Sequence, residues 1–223
     1  MVEQQTLNGT IIKDKQNNKH LSSVFYSEQE LLNAIITIHC PNGIELDPMY
    51  NKGMFYKKGI VDKPKIRFDI SPQVDGIKKG DATNLPLESK SVNCMILDPP
   101  FLFGIHGKTE NNVCSKRYTI IKDFATLRRL YMNIIKESSR VLKRKGILIF
   151  KCQDYTDSKT TMTHCYVYCF ALANGFYAKD LCLLVKENKI FNPNTRQRHF
   201  RKVHSYFWIF QKIKEVSANS SQQ

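Results

Sequence analysis

Val92-Asn93-Cys94-Met95-Ile96-Leu97-Asp98-Pro99-Pro100-Phe101 is an apolar run that stops abruptly on an acid, two prolines and an aromatic ring. A short apolar run of this kind reads as a strand buried on both faces. Its ending is chemically distinctive. The Asp98 carboxylate and the Pro99 carbonyl are acceptors, and neither proline has a backbone N–H, so the turn is stiff and rich in acceptors. Such a turn suits an exocyclic NH2 on a heteroaromatic ring. The lone pair of that amine is delocalised into the ring, which makes it a poor nucleophile. Two acceptors at its hydrogens favour the pyramidal form, whose lone pair can attack an alkyl donor. Pro100 completes the rigid turn, and Phe101 can stack on the base, which is worth about 1–3 kcal/mol on aromatic platforms. The plainer reading is a turn after a core strand, with Asp98 as a local cap and Phe101 as packing, so the surroundings must decide.

Working outward, the neighbouring strands also lead to acids. Gly43 to Asp47 reads as a first strand, Lys65 to Asp69 as a second, Gly76 to Lys79 as a weak third that delivers Asp81, and Ser91 to Leu97 as a fourth. In an open parallel sheet, ligands bind beyond the carboxyl ends of the strands, so these acids would share one rim. The spacing of Asp47 and Asp69 is close to the roughly 20 residues that separate a nucleotide-binding turn from its ribose-binding acid. Asp69 is therefore expected at ribose hydroxyls, Asp81 with Ala82 at an adenine amino group, and Glu45 or Asp47 at the ammonium of a nucleoside-bearing methyl donor. Acids also end strands because they make good turns, but a succession of them favours the functional reading. No glycine-rich loop follows the first strand. The stretch from Pro48 to Tyr56 holds one glycine, Gly53, expected to allow close backbone approach, among the aromatic residues Tyr50, Phe55 and Tyr56.

Ser27 and Glu30 form a capping-box pattern ahead of Leu31, Leu32, Ile35 and Ile38, which predicts a helix ending near Cys40-Pro41. Asp123 is placed to cap a second helix that carries Leu127, Tyr131, Ile134, Ile135 and Val141 and stops before Gly146. Gly146 to Cys152 reads as a fifth strand, and a further helix runs from Thr160 to Asn174 with Gly175 as its stop. Lys179 to Lys186 and His204 to Lys212 are closing strands joined by a loop, hence antiparallel. The alternation specifies an α/β fold: a Rossmann-like, seven-stranded, mostly parallel sheet with a C-terminal antiparallel strand and helices on both faces. Residues 1–22 are expected to form a flexible polar arm, 23–214 one domain and 215–223 a disordered tail.

The chain carries a net charge of +14, which favours a polyanionic partner. No run reaches the roughly 18 apolar residues of a membrane span and the N-terminus has no signal-peptide core, so a soluble cytoplasmic protein is expected. The seven cysteines are odd in number and include no CxxC pair, as expected of reduced core residues. His164, Cys165 and Cys169 fit one helical turn and invite a zinc reading, but a fourth ligand with sensible spacing is missing, and no metal is expected.

The succession of Asp69, Asp81 and Asp98-Pro99-Pro100-Phe101, followed by a helix and the strand Gly146-Ile147-Leu148-Ile149-Phe150-Lys151, resembles the class I S-adenosylmethionine-dependent methyltransferases, and within them the amino-group DNA methylases. Gly43-Ile44-Glu45-Leu46-Asp47-Pro48, Lys52-Gly53-Met54-Phe55-Tyr56, Phe68-Asp69-Ile70-Ser71-Pro72 and Arg201-Lys202-Val203-His204-Ser205-Tyr206-Phe207 are similar to stretches of small phage and prophage methylases. The resemblance covers about residues 24–212. It implies S-adenosylmethionine as cofactor, DNA as partner and transfer to an exocyclic amine, adenine N6 foremost, with Asp98 and Pro99 as acceptors and Phe101 stacking.

Two loops are candidates for nucleic-acid contact. Residues 102–122 carry Lys108, Lys116, Arg117 and Tyr118, and residues 187–203 carry Lys189, Arg196, Arg198, His199, Arg201 and Lys202 beside Phe191 and Phe200. Basic residues interleaved with aromatics suit phosphate contacts and stacking near an extruded base. A solvated basic hairpin loop is the plainer reading. Gln153 and Asp154 are further candidates to line the pocket. The other functions consistent with these residues are methylation of an RNA base amine, methylation of a protein amine, and nucleic-acid binding with a degenerate donor site.

Overall fold

The computed structural model of the chain describes residues 11–13, 19–103, 121–156, 159–186, 198–200 and 202–214. Its strands are β1 (Ile11–Lys13), β2 (Lys19–Leu21), β3 (Val24–Phe25), β4 (Leu46–Asp47), β5 (Ile66–Asp69), β6 (Lys78–Lys79), β7 (Val92–Leu97), β8 (Leu142–Cys152), β9 (Tyr155–Thr156), β10 (Thr160–Thr161), β11 (Phe176–Val185) and β12 (His204–Lys212). The central sheet has eight strands in the order β3, β11, β12, β8, β7, β4, β5, β6. All run parallel except β12, which lies antiparallel between β11 and β8.

The apolar runs form these strands because their alternate side chains serve two cores. Met95 and Leu97 of β7 join Leu148 and Phe150 of β8 in one cluster, while Cys94 and Ile96 join Ile147 and Ile149 in the other. Helix α1 (Glu28–His39) starts where the capping pattern places it, with Ser27 Oγ accepting from Glu30 N at 3.4 Å, and packs Leu31, Leu32 and Ile35 into the second cluster. Helix α2 (Phe124–Val141) is capped by Asp123, which accepts from Thr126 N at 2.8 Å, and packs Leu127, Tyr131, Ile134 and Ile135 into the first. Helix α3 (Thr163–Ala173) adds Val167 and Ala171 to the same core. The sheet thus has helices on both faces.

Some boundaries differ from the sequence expectation. The sheet gains an eighth strand because Val24 and Phe25 pair in parallel with Leu183 and Leu184, and two residues are too few to show alternation in the sequence. In the stretch expected to be a loose polar arm, β1 and β2 pair antiparallel. Helix α2 ends at Val141 and passes directly into β8, which is longer at its start than the run from Gly146 suggested. Thr160 and Thr161 pair with β9, so α3 begins at Thr163. Gly175 ends α3 as expected: its φ is +80°, and a Cβ there would lie 2.6 Å from the Lys214 carbonyl oxygen. The expected tail at 215–223 lies outside the described residues, as do residues 1–10 and 14–18 of the arm. No described helix is long and apolar enough to cross a membrane.

The connection from β4 to β5 is organised by Asp47. Its carboxylate is 3 % exposed and accepts from Met49 N at 3.0 Å and from the Tyr56 hydroxyl at 2.9 Å. Tyr56 then stacks on Tyr50, with ring centroids 5.5 Å apart and planes within 8°. Gly53 fits beneath Tyr50 with φ +63°, and a Cβ at that position would lie 2.5 Å from the ring. The close approach expected of Gly53 is therefore made to a side chain of its own loop. Gly53→Ala combines a left-handed backbone with overpacking and should lower the unfolding free energy by roughly 1–3 kcal/mol, read from the urea midpoint.

Burial pushes the Asp47 carboxyl up to about 7, with the nearby Asp98 and Asp69 adding to the rise and the bonds from Tyr56 and Met49 opposing it. The folded protein therefore holds a proton that the unfolded chain has released above about pH 4. The associated stability is fully present below that pH and is lost as pH rises to about 7. Asp47→Asn should make the decline of the urea midpoint across that window shallower than in the wild type.

Candidate active site

The carboxyl ends of β4 to β8 converge on one rim. β4 comes first in the chain, β5 and β6 lie to one side of it, and β7 and β8 lie to the other. The strand order therefore reverses between β4 and β7, the place where open α/β sheets bind ligands. Asp98-Pro99-Pro100-Phe101 leaves β7 at this point.

Asp98 has a side chain 32 % exposed, so it faces the rim while standing on the core. Its Oδ2 accepts from Lys151 Nζ at 3.1 Å, and the same ammonium donates to Glu28 Oε1 at 2.8 Å. Lys151 also lies over the Phe55 and Phe207 rings, 4.9 and 5.7 Å from their centroids. Burial pushes the Asp98 carboxyl above the usual range, and the pull of Lys151 works against that rise. For Lys151, burial alone favours the neutral amine, but Asp98 and Glu28 outweigh it and hold the ammonium charged. Behind the motif, the buried Tyr131 hydroxyl donates to the Pro100 carbonyl at 2.8 Å. That bond fixes the second proline, while Pro99 before it is buried. Phe101 is half-buried.

The acids assigned to the donor are distributed unevenly. Asp69 stands at the end of β5, half-buried, with Oδ2 accepting from Asn51 N and Oδ1 from Ser71 N, both at 2.8 Å. Each oxygen keeps a second lone pair for a hydroxyl donor. Asp81 is exposed beyond β6, and its Oδ1 accepts from Thr83 N and Thr83 Oγ1 at 2.8 Å. Ala82 packs its methyl into the core at 6 % exposure, so only its backbone is available to a ligand. Glu45 is a correction. Its carboxylate is held by Asn93 N at 2.8 Å and Asn93 Nδ2 at 2.7 Å, near the start of β7 and away from the rim that Asp98 occupies. Asp47 is at the rim, but both its oxygens already serve the loop, and Gly53 faces Tyr50.

Beyond β8, Gln153 Nε2 donates to the carbonyls of Lys202 and His204 at 3.2 and 3.0 Å, which draws the end of the basic loop to the rim. Asp154 is 5 % exposed and gathers its neighbours instead of lining a pocket: Oδ1 bonds His164 Nδ1 at 2.7 Å, and Oδ2 accepts from the Tyr206 hydroxyl at 3.2 Å. Arg198 and Phe200 are exposed, the latter at 88 %. Lys108, Lys116, Arg117, Tyr118, Lys189, Phe191, Arg196 and Arg201 lie outside the described residues. Cys40, Cys94, Cys152 and Cys182 are buried thiols as expected, whereas Cys165 and Cys169 are exposed on α3. Among the described residues no group of three His, Cys, Asp or Glu is arranged to hold a metal.

Lys151, Glu28 and Tyr131 stand beside the motif although nothing in the local sequence assigns them there. Lys151 had one visible signal, a charge ending the buried run Ile147-Leu148-Ile149-Phe150 beside the acid-terminated run of β7. Glu28 and Tyr131 looked like an ordinary first-turn acid and an ordinary core aromatic, and only folding brings them to the motif.

In comparison with solved structures, the chain is similar to TrmN from Thermus thermophilus, at 14 % identity and a TM-score of 0.51 over 83 % of this chain and 49 % of that one. It thus spans about half the length of TrmN. It is also similar to a structure assigned as a sarcosine dimethylglycine methyltransferase from Galdieria sulphuraria, at 12 % identity and a TM-score of 0.50 over 84 % of this chain and 86 % of that one. At these identities the likeness concerns the fold, and it agrees with a Rossmann-like methyltransferase architecture. No curated protein matches the chain in sequence. A family model for DNA methylases of the N6/N4 type matches residues 92–223, from the first residue of β7 through the reversed strand β12. That match takes in the Asp98-Pro99-Pro100-Phe101 turn and more than half of the sequence, and the chain belongs to the N6/N4 DNA methylase family.

Proposed function

We propose that the protein transfers a methyl group from S-adenosylmethionine to an exocyclic amine of DNA, adenine N6 in the first instance. The observation that carries this reading is the position of Asp98-Pro99-Pro100-Phe101 at the strand-order reversal, with a half-exposed carboxylate, a stiff turn pinned by Tyr131 and an aromatic ring beside it. Adenine N6 and cytosine N4 present the same kind of conjugated amine, and the turn has the acceptors for either.

The rim suits this cofactor. Its side chains are acceptors, Asp69 and Asp81 foremost, which match ribose hydroxyls, an amino group and a positively charged donor. A donor without phosphate has no need of a glycine-rich cradle, and the packed tyrosines after β4 stand in that position. S-adenosylmethionine supplies a methyl group on a sulfonium, an electrophile that leaves as a neutral thioether.

The protein's part is to prepare the amine. Asp98 and the Pro99 carbonyl accept its hydrogens and draw the nitrogen toward a pyramidal form, while Phe101 holds the plane of the base. With that donor bound, the nitrogen lone pair would form the new N–CH3 bond as the S–CH3 bond breaks, and the amine would then give up one proton to solvent. No covalent enzyme nucleophile is required. The base must leave its stack to reach the turn. The exposed Phe200, the adjacent Arg198 and Lys202, and the charge of +14 suit a nucleic acid held over the rim.

Labelled methyl transfer to unmethylated genomic DNA, total RNA and a protein lysate, followed by nucleoside mass spectrometry, tests the reading directly. N6-methyladenine in DNA is the expected product. N4-methylcytosine would change the base, and label confined to RNA or protein would overturn the DNA assignment. Asp98→Ala should lower the rate on the order of 10²-fold or more while calorimetric binding of S-adenosylmethionine persists. A fully active Asp98→Ala would remove the motif from the chemistry.

A further inference from the structure

A lysine at the end of an apolar strand has no evident reason to be buried in a molecule with so many exposed cations. Lys151 is 8 % exposed, while Lys143, Arg144 and Lys145 at the start of the same strand face solvent. Its ammonium is spoken for on every side: Asp98 Oδ2 at 3.1 Å, Glu28 Oε1 at 2.8 Å, and the rings of Phe55 and Phe207. So enclosed, it is not placed to bind a phosphate or to meet the substrate.

From these contacts we infer that Lys151 is a positioning residue for methyl transfer, holding Asp98 through Oδ2 and keeping it ionised, so that Oδ1 is presented as an acceptor to the target amine. The inference rests on Asp98 being the acceptor in the reaction proposed above. A protonated carboxyl carries an O–H donor and loses acceptor capacity at that oxygen, so an amine hydrogen arriving there meets another hydrogen. Burial favours that protonated form for any carboxyl at this place. A cation at the surface would be largely screened by salt, whereas an ammonium in direct contact inside the protein is screened much less.

The groups around Asp98 act in opposite senses. Glu28 from α1 favours protonation of Asp98, and Asp98 in turn favours protonation of Asp47 at the end of β4. Lys186, just after β11, favours the ionised form from a distance, and the buried Tyr131 hydroxyl from α2 stands near without a charge of its own. Lys151 is the cation in hydrogen-bond contact. Glu28 has a second part, because it anchors the ammonium to the first turn of α1 and so fixes the direction from which Lys151 reaches Asp98.

The test compares the pH dependence of kcat for methyl transfer to DNA in wild type, Lys151→Met and Lys151→Arg, with S-adenosylmethionine binding measured by calorimetry on each. Loss of an adjacent opposite charge moves an aspartate by about 1–3 pH units, so the acid limb of Lys151→Met should shift upward by that amount and activity should recover as pH rises. Donor binding should persist, and Lys151→Arg should keep its limb near the wild-type position. A folded Lys151→Met that binds donor and shows an unmoved acid limb overturns the positioning role. Should Lys151→Met fail to fold, Lys151→Gln decides: it offers Oδ2 a neutral N–H in place of the ammonium, so the acid limb should still move upward, and an unmoved limb in a folded protein that binds S-adenosylmethionine overturns the inference. A wild-type protein that methylates no amine would instead overturn the proposed function itself, a result distinct from any in the variants.

Discussion

The contact between Lys151 and Asp98 joins the two halves of this molecule's chemistry, its fold and its rim. An ammonium removed from water is costly, and the cost is offset only where carboxylates and ring faces take the place of solvent. Here those groups come from four separate parts of the chain, Asp98 after β7, Glu28 on α1, Phe55 in the loop after β4 and Phe207 on β12, and they meet the lysine carried by a fifth, β8. The register that pairs Leu97 with Phe150 brings Asp98 and Lys151 to the same level of the sheet. Once that pairing is made, the position of the acid turn is determined from below by the ion pair and from behind by Tyr131.

The rest of the rim divides charge by location. Acids gather at the strand ends, where a cationic donor would lie, while the chain as a whole is strongly basic. A net charge of this sign attracts polyanions to the molecule at large, and the carboxylates of the rim are a local exception to it. The loop after β4 follows the same economy of parts. Asp47, Tyr56, Tyr50 and Gly53 brace one another through hydrogen bonds, stacking and close packing, giving a rigid wall where phosphate-binding folds place a flexible glycine-rich turn.

Much of this was legible in the sequence because it is written in local periods. The short continuous apolar runs marked β7 and β8, the caps at Ser27 and Asp123 marked two helix starts, and Gly175 marked a helix end. The Asp98-Pro99-Pro100-Phe101 turn declared its acceptors without any structure, since two prolines restrict the backbone wherever they occur. Glu45 misled because an acid next to a strand end looks the same whichever way its side chain is drawn, and the pull of Asn93 is a contact across 48 residues. The short strand β3 was missed for a related reason, since its pairing depends on Leu183 and Leu184 and not on its own two residues.

By itself, then, the sequence determined the α/β class, the reversed final strand, the acids that follow the strands and the stiffness of the turn, because each depends on residues near one another in the chain. Tertiary structure alone decided which of the acids are already bonded within the protein, that Lys151 is buried, and that Glu28 reaches Lys151 and Tyr131 reaches Pro100. Those outcomes are set by long-range pairing and by the removal of water, and neither has a local signature: a buried ion pair is only as stable as the partners that folding brings around it.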